Sequence, residues 1–428
     1  MSSTTSARAG TTSKVRHWPA TFWALLVGTF LVRAGGFAFP FLAYYLTDRH
    51  LSLFWVGAIM AAFGGGWLLG QLVCGWLADT VGHQSTLIGA MTTGAAALLF
   101  LARATSPLAL LAAALVVGAA FDAHRPVVAA AIADLTPDQG DRAALTAWRH
   151  FAINLGAAAA GALGGLWAQQ AGIEALLWAN AAACAGFAAL AALFLPPEHQ
   201  PAAVAPRRTA DIAAAVRDRR LWLLCGASLA ALVGVVGLFN AVPLLMSAAG
   251  LSATAYGWTQ VANAGAVLVI SPLATPWLRC RAARPEPMTG LLAAGSLTAG
   301  AGMGLAGIAS TPAAFAVAVV VTVPGEIAVM VAAGDLVTRI APPQARGLYS
   351  GLWGTTLAGA VTLAPLIASW SLAAGGPHLV AATTVTAGVL GAAACRPLHT
   401  RLRTDHTPTP PAGPHRGRPS PSPRPFTQ

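Results

Sequence analysis

Polar and apolar positions do not alternate along this chain; they come in long blocks. Twelve apolar runs, most of about 20 residues or more, are separated by short polar stretches. They cover 18–46, 53–78, 84–103, 107–133, 143–170 and 173–195, then 220–247, 256–278, 287–309, 312–339, 346–373 and 377–396. Lipid offers no partner to loose backbone N–H and C=O groups, so runs of this length are predicted to be membrane-crossing helices. A barrel strand would need alternation, and the runs are continuous. The pattern predicts an all-α membrane protein with twelve transmembrane helices in two pseudo-symmetric six-helix halves.

Composition agrees. The chain is 56% hydrophobic and 9% charged, against about 25% charged residues in a soluble domain. So few charges cannot cover a water-facing surface. The first 17 residues are polar and mildly basic. The run that follows is too long for a signal-peptide core and reads as a retained first helix. The five cysteines, Cys74, Cys184, Cys225, Cys280 and Cys395, are scattered, mostly within apolar runs. They read as small core residues, with neither a disulfide frame nor metal-ligand spacing.

The net charge of +11 changes the picture through its location. Arg8, Lys14 and Arg16 precede the first run, and Arg396, Arg401 and Arg403 follow the last. The connections on that same side carry Arg142, Arg207, Arg208, Arg217, Arg219, Arg220, Arg279, Arg281, Arg284 and Arg346. The opposite side shows Arg49 and Arg103. This asymmetry is an orientation signal that places both termini in the cytoplasm, and it argues against nucleic acid as a partner. Ala and Arg predominate and Lys14 stands alone, which points to a GC-rich bacterial genome and a multi-pass protein of the bacterial plasma membrane.

The organisation read from these features is a cytoplasmic segment 1–17, a first half 18–195, a linker 196–219, a second half 220–396 and a disordered cytoplasmic tail 397–428. The linker holds Pro196, Pro197, Pro201 and Pro206 with an arginine cluster, and a short interfacial helix is expected over 209–219. The halves echo each other. Pro40, Leu51-Ser52 and Gly57 return as Pro243, Leu251-Ser252 and Gly257, and Pro137 with Arg142 returns as Pro342 with Arg346. Parallel six-helix repeats place a binding site near the midplane between them.

Candidate chemistry sits where charge interrupts apolar sequence. Arg33, Asp122, Arg125, Arg149 and Glu326 fall inside predicted spans. Each costs about 2.5–3.5 kcal/mol to insert at bilayer centre, so pairing or a wet cavity must offset it. They serve either as a structural ion-pair network or as a substrate and proton site. Asp122 and Arg125, three apart, share a helix face. Backbone breaks are expected beside several of these groups: Gly35-Gly36 and Pro40 after Arg33, Pro324-Gly325 before Glu326, and Pro243 after Asn240. Asn154 adds a polar group to the fifth span. His124 is expected to point away from Asp122, and no metal site is expected.

One polar string between the second and third runs has a specific form, Gly75-Trp-Leu-Ala-Asp79-Thr-Val-Gly82-His83-Gln84. It resembles the loop between helices 2 and 3 of the major facilitator superfamily of secondary transporters, Gly-x-Leu-Ala-Asp-Arg-x-Gly-Arg-Lys. Thr80, His83 and Gln84 depart from the basic residues of that pattern. The resemblance implies a gating loop in which Asp79 faces the start of helix 11, with Arg142 as another partner, and Gly75 and Gly82 permit tight turns. It also implies a central cavity lined by helices 1, 4, 7 and 10. Arg33, Asp122 with Arg125, Asn240 and Glu326 fall on those four. Gly156, Gly161, Gly164 and Gly165 in the fifth run are similar to the family's antiporter-associated motif, with Ala160-Gly161 in place of Gly-Pro. The same small residues equally serve close helix packing. Together with Arg125-Pro126, this is similar to the bacterial drug-exporter branch.

The expectation is a monomeric, proton-coupled exporter of small organic or drug-like molecules that works by alternating access. Asp122 and Glu326 are the proton-carrier candidates, and no cofactor is expected. Two alternatives stay open: a proton symporter importing an anionic metabolite, and a transport-dead membrane sensor. No nucleophile–base pair, metal spacing or phosphate-cradling loop supports an enzyme.

Overall fold

The computed structural model describes residues 19–135, 139–197, 209–342 and 345–404. The first crossing is built of α1 (Ala20–Ala34) and α2 (Ala38–Asp48), the second of α3 (Leu53–Val81) and the third of α4 (His83–Arg103). The fourth is α5 (Pro107–Phe121) with α6 (His124–Leu135), the fifth α7 (Gln139–Ala171) and the sixth α8 (Ile173–Phe194). A short α9 (Thr209–Arg217) leads into the seventh, α10 (Arg219–Ala248). The eighth, ninth and tenth are α11 (Ala253–Ala282), α12 (Thr289–Ile308) and α13 (Pro312–Ile340).

The last element, α14 (Arg346–Thr404), holds two crossings. Gly375 and Gly376 leave helical geometry, Gly376 with φ +69°. Ser371 Oγ and Thr383 Oγ1 then meet at 3.1 Å, although a straight helix would hold residues 12 apart about 18 Å apart. The chain therefore reverses there, and the described residues make twelve crossings. All connections alternate between a terminal side, where the chain enters and leaves, and a far side.

Local sequence explains the ends. Ser106 accepts from Ala109 N at 3.2 Å ahead of Pro107, and Thr311 accepts from Ala314 N at 3.2 Å ahead of Pro312. Both crossings thus start with a hydroxyl cap followed by proline at the first helical position. The fourth and tenth crossings are equivalent in the two halves, so the repeat extends to capping chemistry. Glycines bring helices together inside each half. A Cβ on Gly66 or Gly70 would strike the backbone of Leu115 or Ala119 in α5, and one on Gly325 would come 2.6 Å from Ala299 N in α12.

Several expected boundaries move. Gly75 lies inside α3, so the connection to α4 shrinks to Gly82 at φ +90°. That angle favours a glycine, whereas Gly75 needs no turn geometry. The last helix runs to Thr404, past the expected end at 396. Leu398 and Leu402 are buried there, and Thr289 Oγ1 meets His399 Nδ1 at 2.7 Å, so the extra turns pack on α12. Residues 1–18 and 405–428 lie outside the described residues, as does most of the segment 196–208.

Asp218 caps α10. It accepts from Arg220 N at 2.9 Å and Arg220 Nε at 3.2 Å, and from the Tyr349 hydroxyl at 3.1 Å, tying the seventh crossing to the eleventh. Burial pushes its carboxyl up, but the hydrogen bonds and charge of Arg220 with the Tyr349 hydroxyl outweigh that and hold it below its ordinary value. A depressed carboxylate contributes stability that is fully present above pH ~4 and lost as pH falls through the folded value. Asp218→Ala is expected to cost about 1 kcal/mol. Its melting temperature should lie below wild type at pH 7, with the gap closing on acidification.

Candidate substrate site

Two broken helices build the site. In the first crossing, Gly35 to Phe37 leave the helix and Gly35 N bonds back to Leu31 O at 2.8 Å. A Cβ on Gly35 would lie 2.6 Å from Ala183 Cβ in α8, so the close approach of the bend to α8 requires glycine. In the fourth crossing, Asp122 and Ala123 form the break between α5 and α6. The expected breaks at Pro324-Gly325 and Pro243 do not occur; α13 and α10 run through both prolines. The two breaks sit at one depth: Arg33 and Asp122 each lie 13 residues from the terminal-side ends of their crossings, about 20 Å along the helix.

The breaks bring four of the expected residues together. Asp122 is fully buried, with Arg33 Nη1 3.5 Å from Oδ1 and Arg125 Nε 3.0 Å from Oδ2. Neither carboxylate oxygen has an aligned N–H donor, nor does Arg125 Nε find an acceptor. These contacts are ion pairs by distance, with their hydrogen-bonding capacity unspent. Arg149 Nη1 donates to Arg125 O at 3.3 Å, and the Arg33 guanidinium lies over the Phe121 ring at 5.4 Å. The arginines are not sealed in: side-chain exposure is 17% for Arg33 and 34% for Arg125. Three guanidinium groups against one carboxylate leave a local excess of two positive charges that reaches open space.

Aromatic rings floor this cluster. Phe39, Phe63, Trp67 and Phe121 pack with ring centroids 5.3–5.6 Å apart, and Phe39 meets Phe239 of the second half at 5.1 Å. Trp67 Nε1 is buried without a partner, as is Asn263 Oδ1 on α11. Sequence reasoning passed over these rings, since aromatic residues in membrane helices carry no signal of their own. Phe121 adjoins Asp122 and Phe239 adjoins Asn240, which was the available hint. His124 is buried against Phe187, and neither ring nitrogen has a hydrogen-bond partner.

The other expected residues stand apart. Asn240 is buried and its Nδ2 donates to Val236 O at 3.3 Å within its own helix. Glu326 lies at the middle of α13, half-buried, and has no hydrogen bond or ion pair among the described residues. The side chains of Asn154 and Asp79 lie outside the described residues, as do those of Arg142 and Arg346.

Of the glycines of the fifth crossing, Gly161 and Gly165 occupy the seam between the halves, while Gly156 and Gly164 pack on the first crossing. A Cβ on Gly156 would come 2.6 Å from Arg33 Cβ, and one on Gly161 2.7 Å from Gln260 Cβ. Gly164 faces Phe41, and Gly165 faces Gly257, whose own Cβ would lie 2.7 Å from Gly165 Cα. Thr254 Oγ1 donates to Gly165 O at 2.9 Å. The halves also meet where the Tyr44 hydroxyl donates to Leu251 O at 3.2 Å and Thr47 pairs with Ser247 at 3.1 Å. Gly57 and Gly64 of α3 pack on Ser369 and Thr362 of α14. The contacts of Gly165, Tyr44 and Thr47 with the second half lie toward the far side, and that of Gly156 with Arg33 sits at mid-depth. Toward the terminal side, Gly75, Gly351 and Gly354 face open space.

This is a two-half, twelve-crossing bundle with broken helices and charge at mid-depth. A family model described as Major Facilitator Superfamily matches residues 25–323. The chain belongs to the Major Facilitator Superfamily. By sequence, no curated protein matches it. A crystal structure of a point mutant of the peptide transporter POT is similar at TM-score 0.74 and 17% identity, over 90% of this chain and 96% of that one. A POT family transporter in complex with 5-aminolevulinic acid is similar at 0.70 and 13%, over 90% and 96%. A mutant of the nucleoside transporter NupG is similar at 0.69 and 14%, over 90% and 99%. At these identities the likeness is one of fold. Among the described residues, eleven helices are long and apolar enough to cross a membrane, the last having length for two crossings. This superfamily member is therefore a multi-pass membrane protein.

Proposed function

We propose that this chain is a secondary transporter that binds a small anionic or zwitterionic organic molecule at the arginine cluster and exchanges it for protons by alternating access. The observation that carries this reading is the arrangement around Asp122, a buried carboxylate beneath part-exposed guanidinium groups with spare donors. Such donors bind carboxylate and phosphate groups well. Several POT structures are described in complex with sulfate, alafosfalin or 5-aminolevulinic acid, ligands of the class the charge excess here would favour.

Glu326 supplies the coupling. An ammonium group docking on Glu326 requires an ionised carboxylate, so cation and proton exclude each other at that atom. Mutual exclusion gives exchange, so protons entering down an inward gradient drive export. The drug-exporter-like reading keeps its place here as the direction of transport. For a purely anionic substrate the exclusion disappears, since a protonated Glu326 tolerates it. The symport alternative is favoured by the local excess of two positive charges, and the sign of proton movement on substrate addition separates the two. The arginine-rich terminal side is read as cytoplasmic.

Arg125→Gln is expected to weaken binding of carboxylate-bearing ligands about 10–100-fold, the value of one charge-assisted hydrogen bond. Ligands of the same shape without the carboxylate should lose little. Equilibrium binding to purified protein, across dipeptides, amino acids and their amides, measures it. Equal losses for acids and amides would remove the arginine from the recognition role.

A further inference from the structure

The second half contains a separate cavity of about 1420 Å³ on the terminal side. It lies between the α11–α12 connection, α12, the end of α13 and the last stretch of α14, all within one half. Its rim carries Arg281, Arg339, Arg396 and Arg403. Arg339 Nε is 2.7 Å from Asp335 Oδ2, and Arg281 Nη1 is 3.9 Å from Glu286 Oε2. Among the described residues, Arg396 adds its charge to these two pairs and leaves the rim positive. Its walls are apolar: Ala293, Leu297, Val389 and Ala393. Leu297 lies eight residues inside α12, about 12 Å along the helix, and is 47% exposed. Val389, about 20 Å before Arg403 on its helix, is 49% exposed.

We propose that this cavity binds an anionic phospholipid, with the phosphate at the arginine rim and an acyl chain along the walls formed by α12 and the final helix. Three observations select that occupant. The cavity exceeds the roughly 300–1,000 Å³ of ordinary small-molecule pockets, too large for a free phosphate. Its apolar walls reach hydrocarbon depth, which a soluble anion would not need. The chain's own segment 405–428 carries Arg416, Arg418 and Arg424 against Asp405, so like charge opposes its entry. Basic pockets between membrane helices are general sites for anionic headgroups. The site is distinct from the arginine cluster around Asp122 and does not depend on the transport reading.

The test is retention of phosphatidylglycerol by the purified full chain, followed by native mass spectrometry and by thermal shift in detergent. Phosphatidylcholine and glycerol phosphate are the comparison probes. Phosphatidylglycerol should be retained and stabilising, and the other two should not. Arg281→Gln with Arg396→Gln should weaken retention about fivefold per arginine removed. Ala393→Trp, which keeps every charge and fills the acyl path, should weaken it as well and guards against misfolding in the charge variant. Unchanged retention in both variants would overturn the proposal. Equal binding of glycerol phosphate would make this a soluble-anion site, and equal binding of phosphatidylcholine would remove the role of charge; either result also overturns it.

Discussion

Asp122→Asn is expected to abolish transport and to destabilise the fold more than any other single charge substitution among the described crossings. The asparagine keeps size and shape, so packing at the break between α5 and α6 is preserved. What disappears is the only carboxylate described within reach of Arg33 and Arg125, at 3.5 and 3.0 Å. Removing one partner from a buried ion pair leaves the other charge uncompensated, at a cost of about 3–5 kcal/mol. Here two guanidinium groups would also repel across the broken helices. Thermal unfolding in detergent should show a markedly lower midpoint. Adding Arg33→Gln to Asp122→Asn should return part of that stability without returning transport. That outcome would distinguish a counter-ion from a residue that merely fills space. If Asp122→Asn melts like wild type, the three-arginine cluster does not depend on Asp122 and the account of the site is wrong.

A disulfide between positions 47 and 247 should stop transport completely and reversibly. Thr47 and Ser247 already meet hydroxyl to hydroxyl at 3.1 Å across the two halves, close to the span a disulfide needs. The neighbouring contacts of Tyr44 with Leu251 and of Gly165 with Gly257 lie on the same far side. The structure is thus closed there, and alternating access requires this seam to part. Thr47→Cys with Ser247→Cys should lose transport under oxidation and recover it with reductant. Of the native cysteines only Cys280 is exposed, so replacing it removes the main side reaction. Full transport by the cross-linked protein would show that the seam need not open.

Much of this fold is written in block hydrophobicity. Twelve runs became twelve crossings because the need to satisfy backbone groups in lipid leaves one solution for a long apolar block. The helix ends were less legible. Gly75 reads as a turn glycine, yet only Gly82 leaves the helix, because a polar string in register with α3 continues it until a positive φ is needed. Arg33, Asp122, Arg125 and Arg149 were visible as charges in apolar sequence, and the structure brings them together. Their pairing was not, since it depends on where two helices break. Gly35-Gly36 announced one break; nothing before Asp122 announced the other. Pro324 and Pro243 gave false signals, as a membrane helix can run through a proline when neighbours tolerate the freed carbonyl. The aromatic floor of Phe39, Trp67, Phe121 and Phe239 was illegible, because its meaning lies in contacts between distant helices.

The most direct measurement is proton flux in inside-out vesicles with an acid interior, reported by a pH-sensitive dye as small zwitterionic and anionic compounds are added. The account predicts that a zwitterion dissipates the gradient in wild type, that Arg125→Gln weakens the response for carboxylate-bearing compounds, and that Glu326→Gln abolishes it while binding persists. A substrate-dependent response that survives intact in Glu326→Gln would contradict it.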